Sequence, residues 1–209
     1  GYYTGLAGWE FSIEGYYKQM RHILEYQDGV SFFGTSTNWE EKVEMGEGRS
    51  FGLEMMVQKT LGKTTGWLAY TLAKTDHRFK DGAISQGKWF PYKYDRRHTI
   101  SLCLNHKFSE RIDVGASWIF NTGGCITVPE RETIIIRPEG NIESAPYISR
   151  RNNYRLPASH RLNLGINFNK KTKHGMRTWN ISLYNAYNAM NPNLVYSKWE
   201  QGYNLIYND

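Results

Sequence analysis

Along this chain apolar residues keep returning at every second position. Between residues 9 and 18, Trp9, Phe11, Ile13, Gly15 and Tyr17 fall on one side while Glu10, Ser12, Glu14 and Lys18 fall on the other. That is the period of a β-strand whose two faces meet different surroundings. After a long polar excursion over residues 21–48, Phe51, Leu53, Met55 and Val57 alternate with Ser50, Gly52, Glu54 and Gln58. A short turn over residues 61–66, with Gly62 and Gly66, leads to Leu68, Tyr70 and Leu72, set against Trp67, Ala69 and Thr71. A second excursion covers residues 75–97. Ile100, Leu102 and Leu104 then alternate with Ser101, Cys103 and Asn105, and a tight connection over residues 108–111 leads to Ile112, Val114, Ala116, Trp118 and Phe120, opposite Asp113, Gly115, Ser117 and Asn121. Residues 122–159 read mostly as loop, since Pro129, Pro138, Pro146 and Pro157 are unsuited to central strands. Leu162, Leu164, Ile166 and Phe168 follow, against Arg161, Asn163, Gly165 and Asn167; a short basic turn over residues 169–176 leads to Trp179, Ile181 and Leu183, and a last strand is expected within residues 193–207.

The pattern predicts an all-β, antiparallel architecture of about eight strands whose connections alternate between short and long, as they must when turns of one kind share one side. Two settings produce such alternation. In a soluble sandwich the apolar rows meet a second sheet. In a membrane barrel they meet lipid and the polar rows face a hydrated lumen. Trp9 and Tyr17, Trp118 and Phe120, and Trp179 lie near strand ends, as an interfacial girdle requires. The opposite faces carry Glu54, Gln58, Asn105, Asp113, Arg161 and Asn163, too polar for a dry core. The membrane setting fits better, and it predicts that the excursions around Asp28, Gly82 and Gly140 are extracellular while the short turns are periplasmic.

Composition agrees: 7 Trp, 15 Tyr and 9 Phe accompany 20 Gly, a mixture of strands and turns rather than of a helix-rich enzyme. The longest apolar run, residues 67–73, is far short of the roughly 20 residues a membrane helix needs. A net charge of +6 would suit nucleic acid, but Lys and Arg recur beside turns instead of along one element, so no nucleic-acid partner is expected. Cys103 and Cys125 lack metal-ligand spacing; no metal and no cofactor are expected, and the two thiols are either one disulfide or two small half-buried side chains. Gly1 is preceded by neither an initiator Met nor a basic and apolar leader, so the chain reads as a fragment.

The cluster Tyr94-Asp95-Arg96-Arg97-His98 offers an acid, a base and anion-binding forks. On a strand Asp95 and Arg97 share one side and Arg96 and His98 the other, which suits ion pairs at a rim better than catalysis. No glycine-rich phosphate cradle, paired carboxylates or Ser-His-Asp constellation is present, so no enzyme is expected. The enzymatic rival is a barrel hydrolase using Asp76, His77, Asp95 and His98. For ligand binding, the candidates are Trp89, Tyr92 and Tyr94, flanked by Phe90, with Arg150, Arg151 and Tyr154 on the next long loop; they are expected to line an extracellular vestibule by stacking and hydrogen bonding. The same aromatics would equally serve as loop anchors at headgroup level. Lys170, Lys171, Lys173, His174 and Arg177 form a basic turn, a solvated cap or a contact for acidic lipid or a periplasmic partner.

Three stretches go beyond periodicity: residues 87–91 (GKWFP) leading to residues 94–98 (YDRRH), residues 151–157 (RNNYRLP) leading to His160-Arg161-Leu162, and residues 184–188 (YNAYN) with Asn191-Pro192. In order and spacing, over residues 6–196, they resemble the C-terminal barrel of TonB-dependent outer-membrane receptors. Ser159 and Asn163 stand where similar receptors usually show an aromatic residue and an acid, and residues 203–209 end in polar Asn208-Asp209 instead of an apolar strand closing on Phe. The resemblance implies that residues 1–209 are the C-terminal portion of a transmembrane barrel of the 22-stranded class, without its plug and upstream strands. It implies TonB-dependent nutrient uptake across the bacterial outer membrane. The implied partners are the rest of the barrel and its plug, the TonB complex acting through that plug, the lipid bilayer with its lipopolysaccharide, and, in some such receptors, a surface lipoprotein. The alternative is a complete eight-stranded barrel serving as adhesin or structural anchor.

Overall fold

The computed structural model describes residues 1–28, 39–136, 138–192, 194–199 and 203–208. In chain order the strands are β1 (Tyr2–Leu6), β2 (Trp9–Tyr26), β3 (Val43–Lys59), β4 (Thr64–Arg78), β5 (Phe90–Pro91), β6 (His98–Lys107), β7 (Ile112–Asn121), β8 (Cys125–Ile126), β9 (Arg131–Ile136), β10 (Ile142–Tyr147), β11 (Tyr154–Arg155), β12 (Ser159–Thr172), β13 (Gly175–Leu183), β14 (Leu194–Trp199) and β15 (Tyr203–Asn208). The protein is all-β and antiparallel. One large sheet runs β1-β2-β3-β4-β6-β7-β12-β13, each strand paired with its sequence neighbour on that path, and β5 adds to the end of β4. The pairs β9–β10, β8–β11 and β14–β15 stand apart as two-stranded sheets.

Register carries the alternating pattern from strand to strand. Phe11 lies opposite Val57, Val57 opposite Leu68, Leu68 opposite Leu102, Leu102 opposite Trp118 and Trp118 opposite Leu162. Farther along, Phe168 faces both Ile112 and Trp179. Directly opposed residues point to the same face, so the apolar rows of every strand merge into one continuous surface without an Asp, Glu, Lys or Arg between its margins. The other face is polar and knitted together by side chains. Asp113 accepts hydrogen bonds from the Nδ2 of Asn167 (2.7 Å) and of Asn169 (2.6 Å). Asn180 donates to Asn167 (2.7 Å), Thr178 to Asn169 (2.7 Å) and Asn163 to Ser117 (3.1 Å).

Among the described residues no second sheet or helix covers the apolar face. Trp179, Ile181 and Leu183 are 69%, 64% and 56% exposed. The chain exposes 14788 Å², well above the roughly 10,000 Å² expected of a compact monomer of its mass. Among the described residues the buried apolar side chains, Phe79, Ile84, Phe90 and Cys125, gather at one end of the sheet instead of between layers. That end is where the long connections lie. The short ones, at residues 7–8, 60–63, 108–111 and 173–174, all lie at the other.

Several element boundaries differ from the pattern-based expectation. β1 was not anticipated. Both ends of the excursion at residues 21–48 are strand, because β2 continues to Tyr26 and β3 begins at Val43; their upper parts carry charged residues on both faces, so no apolar period marks them. A bulge at His22, whose φ is +56°, also shifts the register between Arg21 and Ile23 and breaks the period of two. The single last strand expected in residues 193–207 is a hairpin, β14 with β15, that pairs with itself and not with β13; Asn193 and residues 200–202 of that stretch lie outside the described residues, as does Asp209.

Candidate functional site

At the long-connection end, β4 runs past the apolar band and presents His77 on the polar face, with Phe79 just beyond its last residue. Glycines across from them on β3 make the room. A Cβ on Gly46 would sit 2.5 Å from the Phe79 ring, and one on Gly48 would sit 3.1 Å from His77 and 2.7 Å from Met20. β5 then pairs with the top of β4, setting Phe90 opposite His77 and Pro91 opposite Asp76. Phe79, Ile84 and Phe90 form a small buried cluster against Ile23. Tyr92 stacks on His77 with ring centroids 4.5 Å apart.

Burial holds the His77 imidazole below its ordinary pKa near 6.5, opposed by the charges of Glu25 and Asp76. The opened cluster therefore binds the proton more readily than the closed one. His77's contribution is complete above the unfolded value and is lost as pH falls through about 6.5 toward the depressed folded value. Amide-exchange protection at Phe90 and Tyr92, corrected for intrinsic rates, is expected to drop between about pH 7.5 and about pH 5.5. In His77→Phe that drop should vanish; a drop of equal size in the variant would assign it to another group.

Two hubs tie the long connections together. Asp95, 3% exposed, accepts the backbone N–H of Thr75 at 2.7 Å and pairs with the guanidiniums of Arg97 and Arg155. Arg155 also donates to the carbonyl of Gly123 at 2.8 Å. Beside it Cys125 is a buried free thiol whose pKa is raised by burial, with Arg155 pulling the other way; Cys103 is also free. The second hub is Arg151. Its Nε donates to Asp28 (2.8 Å), its Nη2 to the carbonyl of Tyr26 (2.8 Å), and its backbone N–H to the Ser85 hydroxyl (2.9 Å). Ser85 in turn donates its own N–H to Asp28 at 2.9 Å. Asn152 adds a bond to the carbonyl of Pro91 at 2.8 Å. Three connections distant in sequence are thus clasped by one RNN stretch. Under the separate β9–β10 hairpin, Glu130 accepts from Ser149 and Asn153, which hold its carboxyl below the usual range.

The third motif closes the other side. Tyr187 Oη is 2.8 Å from His160 Nδ1 and accepts from Trp118 Nε1 at 2.9 Å. Asn185 bonds both the N–H and the carbonyl of Ala189, and Arg161 donates to the Tyr184 hydroxyl and covers its ring.

Of the six candidate ligand residues, Tyr92 and Tyr94 are brought together, ring edge to face at 5.4 Å, with Tyr94 exposed and Lys93 over its ring. Arg150 is exposed, Tyr154 sits in the short β8–β11 ladder, and Arg151 is occupied as a clasp. Trp89 is on the opposite side of the sheet from Tyr92, between the guanidiniums of Arg49 (4.3 Å) and Arg78 (4.8 Å). The six therefore do not line one concavity. Asp95 and Arg97 do pair, at 3.4 Å, but residues 92–97 form a turn and a bend instead of the strand expected, so the pairing does not follow from strand alternation. Asp76, His77, Asp95 and His98 do not converge: Asp76 pairs with Arg49, His77 stacks on Tyr92 across the sheet, Asp95 is engaged as a hub, and His98 bonds Tyr70 Oη at 2.8 Å. Arg155, Asp28 and Ser85 were not foreseen, since each meets its partner only through long-range folding. The charges Glu47 and Arg49, with Lys74, Asp76, Arg78 and Lys80, did leave a signal, alternation at every second position. Among the described residues no group of three or more His, Cys, Asp or Glu is placed to hold a metal, and no helix is long and apolar enough to cross a membrane. No protein-family model and no curated protein matches the chain.

Proposed function

We propose that this chain forms part of the wall of a transmembrane β-barrel in the bacterial outer membrane, and that the barrel is a TonB-dependent receptor importing a nutrient. One observation carries the membrane placement: a single-layered sheet turns one uncovered, charge-free apolar surface outward and an amide-rich polar surface inward. Exposed apolar patches on soluble monomers rarely exceed a few hundred Å², and this one spans the sheet. The outward row from Trp9 to Tyr17 measures roughly 26 Å along the strand, or about 20 Å at a 40° tilt, close to the height of a lipid-facing band. The long connections, tied by Arg151 and Asp95, face the exterior, and the short turns face the periplasm.

β1 and β13 are each paired on one side only within the large sheet, and an unpaired edge in hydrocarbon costs several kcal/mol per unsatisfied group. Further strands of the same barrel would satisfy both edges and surround a plug through which TonB acts. The three motifs that resemble such receptors support uptake rather than another barrel function. Tyr92, Tyr94 and Arg150 remain the residues best placed to meet a ligand, and a surface lipoprotein is a partner compatible with the long loops.

Eight strands on the main path also fit a small closed barrel acting as an adhesin or anchor. A deletion strain grown on a panel of chelated iron, glycans, peptides and cobalamin separates the readings. The receptor predicts loss of growth on one nutrient class, restored by the full-length gene; unchanged growth on all of them with lost adhesion selects the small barrel.

A further inference from the structure

We infer that the outward surface at the top of β3 and β4 binds a lipid phosphomonoester headgroup, an inference that rests on the membrane placement proposed above. Register sets the location. Tyr17, Phe51 and Lys74 form one row, the last with aromatics of the apolar band; the next outward rows are Gln19, Arg49 and Asp76, then Arg21, Glu47 and Arg78. Successive outward residues are about 7 Å apart, so the charges begin where acyl chains give way to headgroups.

Two carboxylates here are each shared by two cations. Asp76 is held by Arg49 (3.1 Å) and Lys74 (3.4 Å), and Glu47 by Arg78 and by Lys80 (3.5 Å). Arg21, Glu47, Arg78, Lys80 and Asp81 line a hollow of about 330 Å³; counted with Arg49, Lys74 and Asp76 on the adjoining rows, five cations accompany three carboxylates, a formal excess of two positive charges over the whole patch. Trp89 lies between the Arg49 and Arg78 guanidiniums and fixes both by cation–π contact. A phosphomonoester carries about −1.5 to −2 at neutral pH and matches that excess; a phosphodiester carries a single negative charge. Arginine forks suit its oxygens, and the acyl chains would lie along Phe51, Leu53 and Leu72.

The test titrates the full-length protein in detergent micelles with phosphatidic acid and, separately, with phosphatidylglycerol, counting bound lipid by native mass spectrometry. Wild type should hold phosphatidic acid several-fold more tightly. Arg78→Gln/Lys80→Gln should weaken phosphatidic acid about tenfold and phosphatidylglycerol little. Lys80→Gln alone, at a side chain 66% exposed, should show a smaller loss of the same selectivity. Lys170→Gln/Arg177→Gln, at the opposite end, should show none. Equal affinity for the two lipids, undiminished binding in both Lys80 variants, or inorganic phosphate binding as tightly as phosphatidic acid would overturn the inference. Failure of wild type to insert into phosphatidylcholine vesicles would remove the membrane placement itself, a separate result.

Discussion

Leu102→Arg in the full-length protein is expected to destabilise the bilayer-inserted state by about 2–4 kcal/mol, while Ser101→Arg, one residue away, costs less than about 1 kcal/mol. The register explains the difference. Leu102 lies between Leu68 and Trp118 in the middle of the outward band, whereas Ser101 lies between Ala69 and Ile119 on the polar side. On the membrane placement proposed, a guanidinium at the first position enters hydrocarbon, and at the second it enters water. Urea titration of folding into lipid vesicles measures both. A soluble sandwich would reject the outward Arg because of the second layer and would fold without lipid; similar costs at the two positions would contradict the assigned faces.

Asp95→Asn is expected to open the loop cluster. Removing one member of a buried ion network costs 3–5 kcal/mol as a rule. Here Arg97 and Arg155 keep 36% and 31% of their side chains exposed, so solvent recovers part of that and about 3 kcal/mol is the better expectation. That is on the order of a hundredfold in the population of the opened state. The readout is the rate of limited proteolysis within residues 79–97 and 122–158, because local opening leaves the wall intact. Asn retains the acceptor for Thr75, so loss of the charge is what is measured. Proteolysis unchanged from wild type would mean that Asp95 does not organise the cluster, and melting of the whole sheet would mean that the cluster is not a local unit.

The sheet was legible because nearly every strand alternates apolar and polar residues, and because short and long connections take turns. Legibility ended where that contrast ended. β1 has adjacent Tyr2 and Tyr3 and no clean period; its turn depends on Ala7 and Gly8 at φ +50° and +81°, a tight connection with no Asn-Gly or Gly-Gly signature. The upper part of β2 is disguised by polar outward residues and by the bulge at His22. The β9–β10 hairpin hides in a consecutive Ile134-Ile135-Ile136 run beside prolines, and it tolerates Pro146 because it has only two strands. At the loop end, Asp95 and Arg97 are near enough in sequence, two residues apart, to suggest a pair. Asp95 with Arg155, and Asp28 with Arg151, are joined only by the folded connections. Trp89 and Tyr92 looked like one aromatic wall in sequence, yet three residues along an extended segment reverse the face.

The central claim is that alternate residues of the wall meet hydrocarbon and water. Single nitroxide labels at each position from 159 to 168 of the full-length protein, reconstituted in bilayers, test it directly through collision with oxygen and with a water-soluble nickel chelate. Oxygen contact should peak at Leu162, Leu164, Ile166 and Phe168, and chelate contact at Arg161, Asn163, Gly165 and Asn167. Low oxygen contact at all of the first set, as in a row packed against protein, would contradict it.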